Sequence, residues 1–167
     1  RAVKRIGWQG ISHLEIFGQL CQVIDLWKPQ YIIIDATGVG EGLWALLWKK
    51  YGERVIPFKF TAQSKSEVGY GFLSVVNTGR FRDCCRTDEV LLQYKKCTSE
   101  ILPGPQKLMR WGVKDGTRNE ATGELVHDDI PLADCLCAEL DKLEWHIPVQ
   151  GEVIKAKDPL KSMDRSY

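Results

Sequence analysis

The stretch YIIIDATGVG at residues 31–40 decides how the chain is read. Tyr31 to Ile34 is a short, wholly apolar, β-branched run, the composition of a strand buried on both faces of a parallel or mixed sheet. It ends on Asp35 and turns through Ala36, Thr37, Gly38, Val39 and Gly40. The helix that follows carries Leu43, Trp44, Leu46, Leu47 and Trp48 and closes at Tyr51 and Gly52. A carboxylate at the C-terminal end of a buried strand faces the crevice where open α/β sheets place their ligands. Asp35 is therefore the first candidate for chemistry. Its competing role is structural, because an Asp before a turn also hydrogen-bonds that turn or caps the next helix. The glycines suggest a phosphate loop, but GVGEG lacks the Lys-Ser/Thr ending of a P-loop and does not fit GxGxxG. Gly38 and Gly40 read instead as residues that let the backbone turn tightly into the helix.

Working outward, Leu14, Phe17, Leu20, Cys21, Ile24 and Trp27 recur at helical spacing, with Ser12 as a cap and Pro29 as a stop. Before them, residues 2–8 (AVKRIGW) partly alternate and predict a strand ahead of a Gln9–Gly10 turn. Downstream, Val55 to Phe60 reads as another strand, and Ser64 with Glu67 has capping-box spacing before a helix carrying Val68, Phe72, Val75 and Val76. Thr87 opens a further helix through Val90, Leu91, Tyr94 and Ile101, broken at Pro103-Gly104-Pro105. Residues 107–114 and 124–127 flank a turn-rich segment and predict a long β-hairpin. A final helix bears Leu132, Ala133, Leu136, Cys137, Leu140 and Leu143. Helices alternating with strands in this way indicate an α/β sheet with crossover helices.

A length of 167 residues with 44% hydrophobic content suits one domain with its own core. That domain is expected over residues 1–147, with a polar, aperiodic extension over 148–167. With 23 Lys and Arg against 22 Asp and Glu, any surface for a polyanion must be local. The cysteines at 21, 84, 85, 97, 135 and 137 lack the CxxC spacing of zinc knots and are expected reduced, in a cytosolic protein. No run approaches a spanning helix or a signal peptide. The chain begins with Arg1 rather than Met, so residues preceding it are expected to be absent from this sequence.

Asp128 and Asp129, preceded by His127, stand where a strand hands over to the last helix. One Asp suffices to cap a helix. Two adjacent carboxylates repel unless a cation shares them, and hard oxygen ligands suit Mg²⁺ or Mn²⁺. Lys65 opens the helix after residues 55–60 and is either a solvated lysine or a phosphate contact. Arg80, Arg82 and Arg86 form a basic cluster, while Arg110, Lys114 and Arg118 decorate the expected hairpin near Trp111. Such a ribbon either tracks nucleic-acid phosphates or is an ordinary soluble hairpin. His13 and His146 stand apart, and no Ser/His/Asp arrangement is evident.

Taken in order, YIIIDATGVGEGL, VIPFKF, an SK followed by a helix ending near TGRF, and ELVHDDIPLADCLCAEL resemble the C-terminal nuclease domain of tailed-phage terminase large subunits. The resemblance runs from about residue 2 to residue 145. It implies a ribonuclease-H-like mixed sheet flanked by helices, whose acidic residues bind two divalent ions, Mg²⁺ or Mn²⁺, about 3.5–4 Å apart. By this resemblance Asp35 matches the acid ending the central strand. Asp129 matches the acid opening the last helix, with Asp128 beside it, and His127 falls where relatives carry a polar or ligating residue. Lys65 matches a basic position near substrate phosphate, with Arg80, Arg82, Arg110, Lys114 and Arg118 as further DNA contacts. Asp134 falls one place after the Asp usual in the family's helix. The family's first catalytic acid lies on a strand upstream of residues 2–8, so that first strand is expected to be missing here. The implied activity is hydrolysis of DNA phosphodiester bonds, cutting concatemeric viral DNA during packaging. The implied partners are double-stranded DNA, the terminase ATPase domain of the same full-length chain, the small terminase subunit and the portal. The implied location is the cytoplasm of the bacterial host, with no membrane. Two other readings stay open: a resolvase or transposase type of ribonuclease-H-like nuclease, and an inactive module that binds DNA or a portal.

Overall fold

Ser12 starts the first helix, as its position predicts. In the computed structural model, which describes residues 1–145, α1 spans His13–Trp27. The Ser12 hydroxyl accepts the Glu15 N–H at 3.3 Å and the Glu15 carboxylate accepts the Ser12 N–H at 2.9 Å, a reciprocal capping box. The helix ends at Lys28, in the left-handed region with φ 47°, directly before Pro29, which disfavours continued helix at the residue preceding it.

The decisive stretch forms β1 (Ile32–Asp35), parallel to β2 (Val55–Phe58), with Ile32 opposite Val55 and Asp35 opposite Phe58. The crossover is α2 (Gly40–Tyr51) followed by a 3-10 turn at Gly52–Arg54. Ile32 and Ile34 share one face of the strand and pack with Cys21 and Ile24 of α1, Leu47 of α2 and Val55. The strand is half-buried rather than covered on both faces as expected, because the sheet has only two strands and this core takes the face bearing Ile32 and Ile34.

α3 (Ala62–Asn77) begins earlier than Ser64 and Glu67 suggest. Thr61 is its cap: the hydroxyl accepts the Ser64 N–H at 3.1 Å, and Ser64 Oγ accepts the Thr61 N–H at 2.8 Å. Ser64 thus fills the reciprocal position expected of Glu67, which instead accepts a bond from Gln63 at 2.9 Å. Val68, Phe72 and Val75 of α3 form a second core with Met109, Trp111, Cys135 and Ala138.

α4 (Asp88–Lys96) is capped by Thr87, but it stops short of the expected end. Residues 97–101 form β3 (Cys97–Ile101), antiparallel to β4 (Met109–Val113). The hairpin therefore joins these two strands, and not 107–114 with 124–127, where only the bridge between Arg118 and Leu125 remains. Thr98 and Ser99 are poor helix formers, and Ile101 is 64% exposed, so it does not extend the buried stripe of α4. The expected strand at residues 2–8 reduces to one bridge, Ala2 with Asp83. Val3 and Ile6 are exposed there, and the segment is held by the side chain of Arg5. The last helix divides into α5 (Asp129–Cys135) and a 3-10 segment, Leu136–Lys142, a tightening common at helix ends.

The described residues thus make a mixed α/β structure with two two-stranded sheets in place of the single mixed sheet expected. The extension over 148–167 lies outside the described residues. No described helix is long and apolar enough to cross a membrane.

Candidate functional site

Asp35 ends β1 exposed to solvent. Its Oδ1 accepts the Thr37 N–H at 2.8 Å, so the turn-forming role is realised. The same turn is fastened to the exit of β2: Ala36 N–H donates to the Phe58 carbonyl at 2.8 Å, and Thr37 Oγ1 accepts the Phe60 N–H at 2.8 Å. A Cβ on Gly40 would stand 2.2 Å from the Asp35 carbonyl oxygen, which explains the second glycine of the motif. Among the described residues Asp35 Oδ2 has no hydrogen-bond partner.

Lys65, in the first turn of α3, meets Asp128, the residue before α5. Nζ and Oδ2 are 3.5 Å apart, at the outer limit of a hydrogen bond, with side chains 31% and 23% exposed. The ammonium also lies over the Trp111 ring, 5.2 Å from its centroid, and Trp111 Nε1 donates to the Lys65 carbonyl at 2.7 Å. β4 passes directly beneath: a Cβ on Gly112, where φ is 138°, would be 2.3 Å from Asp128 Oδ2 and 3.4 Å from Lys65 Nζ. Beside the pair, burial pushes the Cys97 thiol up, and the charge of Asp128 adds to that push.

Asp128 occupies the N-cap position of α5, yet its side chain makes no capping bond. Asp129 is the first helical residue and is exposed, as is His127. The structure therefore brings Lys65 and Asp128 together with Asp129 alongside. Asp35 lies at the same C-terminal end of the parallel strands from which the chain runs into α3, although no described contact joins it to the other acids. Among the described residues no three His, Cys, Asp or Glu side chains are grouped so as to hold a metal ion.

Most of the expected DNA-contacting cations have partners within the protein. Arg80 bonds Asp141 at 2.8 Å, Arg110 bonds Glu100 at 3.2 Å, and Arg118 donates to the Gly123 carbonyl at 2.6 Å. The exposed ion pairs of Arg80 and Arg110 are weak and exchange readily with water, so they dilute the positive field without blocking a phosphate, while the carbonyl bond of Arg118 leaves its charge in place. Arg82 and Lys114 are exposed and have no ion pair among the described residues.

Sequence reasoning missed a second polar cluster. The Arg5 guanidinium grips both oxygens of Asp134 at 2.7 Å and reaches Asp83 at 3.0 Å, while Tyr94 donates to Asp134 at 2.6 Å. The Asp134 bond, followed by that to Asp83, raises the guanidinium above its ordinary value, and burial, then Asp134, raises the Tyr94 hydroxyl. Asp134 is therefore committed to Arg5. The one signal in the sequence was Arg5 interrupting an alternating stretch. Gln93 was missed as well: it is 6% exposed, a polar residue among the buried positions of α4, and its Oε1 accepts the Ile130 N–H at 2.9 Å. No protein-family model, curated protein or solved structure matches the chain.

Proposed function

We propose that this chain is a divalent-metal-dependent DNA endonuclease domain of the ribonuclease-H-like, terminase type. Asp128 and Asp129 would act as metal ligands, Asp35 as a further carboxylate and Lys65 as the neutraliser of substrate phosphate. The observation that carries the reading is the carboxylate of Asp128. It stands at a helix start without capping it and is turned toward a lysine in a partly open site.

The donor set suits a hard cation. Mg²⁺ is held through one or two carboxylates with retained waters and substrate phosphates, so adjacent Asp128 and Asp129 meet its demand without a third protein ligand. Mn²⁺ favours the same oxygen donors. Bound there, a pair of such ions would supply an activated water and charge stabilisation for the leaving oxygen of the phosphodiester. The protein's part is to present hard oxygens at the start of α5, to hold Asp35 firm through the Thr37 N–H, and to place the Lys65 ammonium where a phosphate loses charge repulsion. His127 offers an imidazole beside the acids. Exposed Arg82 and Lys114 extend the phosphate contact without reading sequence. Double-stranded DNA is the substrate in this reading. The packaging ATPase domain, the small terminase subunit and the portal are its partners, and concatemer cutting in the host cytoplasm is its task.

One observation favours the rival reading of a non-catalytic binding module: Asp35 already has a structural use in its turn. Supercoiled-plasmid nicking separates the two. Cleavage that requires Mg²⁺ or Mn²⁺ and falls about a hundredfold in Asp129→Asn and in Asp35→Asn is expected, the scale on which lost electrostatic stabilisation acts. Metal-independent nicking, or full activity in Asp129→Asn, would remove the acids from the mechanism.

A further inference from the structure

We propose that Gln93 is a positioning residue: it caps α5 from a neighbouring helix and so releases Asp128 from capping to face Lys65. The role rests on the nuclease reading for its consequence in activity, and on geometry for its existence. The opening turn of a helix has backbone N–H groups without intrahelical partners, and the residue at the N-cap normally accepts from the second or third of them. In α5 the third residue is Pro131, which has no N–H. The first intrahelical bond is the Leu132 N–H to the Asp128 carbonyl at 2.9 Å. Ile130 is thus the one residue whose N–H a carboxylate at position 128 would take as a cap. That donor is occupied by Gln93 Oε1 at 2.9 Å, from a side chain buried to 6% exposure. The amide is steadied in turn by Glu89, which accepts from Gln93 Nε2 at 3.5 Å.

The consequence is a division of labour. An Asp at an N-cap ordinarily turns one carboxylate oxygen back onto its own helix, which fixes the direction of the whole group. Here a neutral amide satisfies the helix, and Asp128 Oδ2 lies over Gly112, 3.5 Å from Lys65. Without the Gln93 oxygen the Ile130 N–H is left unsatisfied in a half-buried place, and the side chain that ordinarily takes it is that of the N-cap residue, Asp128.

The test compares Gln93→Leu, which keeps approximate volume and loses the acceptor, with Gln93→Glu in a Glu89→Gln background, which keeps an acceptor oxygen and exchanges the donor and acceptor of the 89–93 contact. Gln93→Met serves in place of the leucine variant if that protein does not fold. Plasmid nicking with Mn²⁺ should fall roughly tenfold in the leucine variant, the scale of outer-shell partners, and return in the glutamate variant. Wild-type nicking by Gln93→Leu with its Ile130 amide newly open to hydrogen exchange would overturn the proposal. If the wild type itself does not nick, the nuclease reading falls, and crystal structures decide the positioning role alone. Asp128 swung onto the Ile130 N–H in Gln93→Leu supports it, and Asp128 still beside Lys65 overturns it.

Discussion

Gly112 shows how one missing methyl group shapes the site. Its φ of 138° lies where L side chains are strained, and a Cβ there would collide with the Asp128 carboxylate at 2.3 Å. Gly112→Ala should cost about 1–3 kcal/mol from backbone strain alone, measured as a shift in the urea midpoint, and should drive Asp128 off Lys65. An unchanged midpoint would mean that β4 does not run beneath the carboxylate as described. Legibility at this scale was uneven. Asp35, Gly40, Asp128 and Lys65 were all readable as positions of interest, because each sits at a junction between elements that periodicity can locate. What Asp128 does there was not readable: the choice between cap and free carboxylate is made by Gln93, 35 positions earlier in the chain.

Among the elements, the two polar side chains buried among the described residues, Ser66 and Gln93, carry the fine placement. Ser66 of α3, next to Lys65, is 2% exposed and accepts the Met109 N–H at 2.8 Å, pinning the start of β4 to α3. Ser66→Ala leaves that buried N–H without a partner and should destabilise the protein by about 1–3 kcal/mol, read from denaturant unfolding; a loss under about 0.5 kcal/mol would mean that water replaces the hydroxyl. Where helices and strands announced themselves by local pattern, they form as expected: Ser12 and Pro29 bracket α1, and the β-branched run makes β1. The pattern misled at residues 97–101, because Cys97 and Ile101 continue a helical spacing while pairing with 109–113 makes the strand. That partnership is a tertiary fact, invisible to a window that scans one element at a time. The same holds for residues 2–8, where alternation was real but no neighbouring strand extends the Ala2 bridge into a ladder.

Across the whole molecule, the Arg5 cluster binds four separated parts: the N-terminal segment, the loop after α3 at Asp83, α4 at Tyr94 and α5 at Asp134. Burial raises the Asp83 carboxyl, but the Cys85 N–H and the Arg5 guanidinium outweigh it and hold the group below its ordinary value. A carboxyl depressed in the folded state contributes stability that is fully present above the ordinary pKa of about 3.9 and is lost as pH falls through the lower folded value. The melting temperature should therefore decline on acidification through that window, and Arg5→Met should make the decline shallower while lowering the plateau near neutral pH. An acid limb of the same steepness in the variant would show that other carboxylates govern it. Gln93 and Tyr94 are consecutive, and between them they hold the first turn and the last turn of α5. Neighbouring residues on a helix project about 100° apart, so one inserted or deleted residue between Thr87 and Gln93 would rotate both grips away together. The length of that stretch is therefore a constraint on descent: lineages can exchange side chains along α4, but a change in its count would unseat α5 and the N-terminal latch in one event.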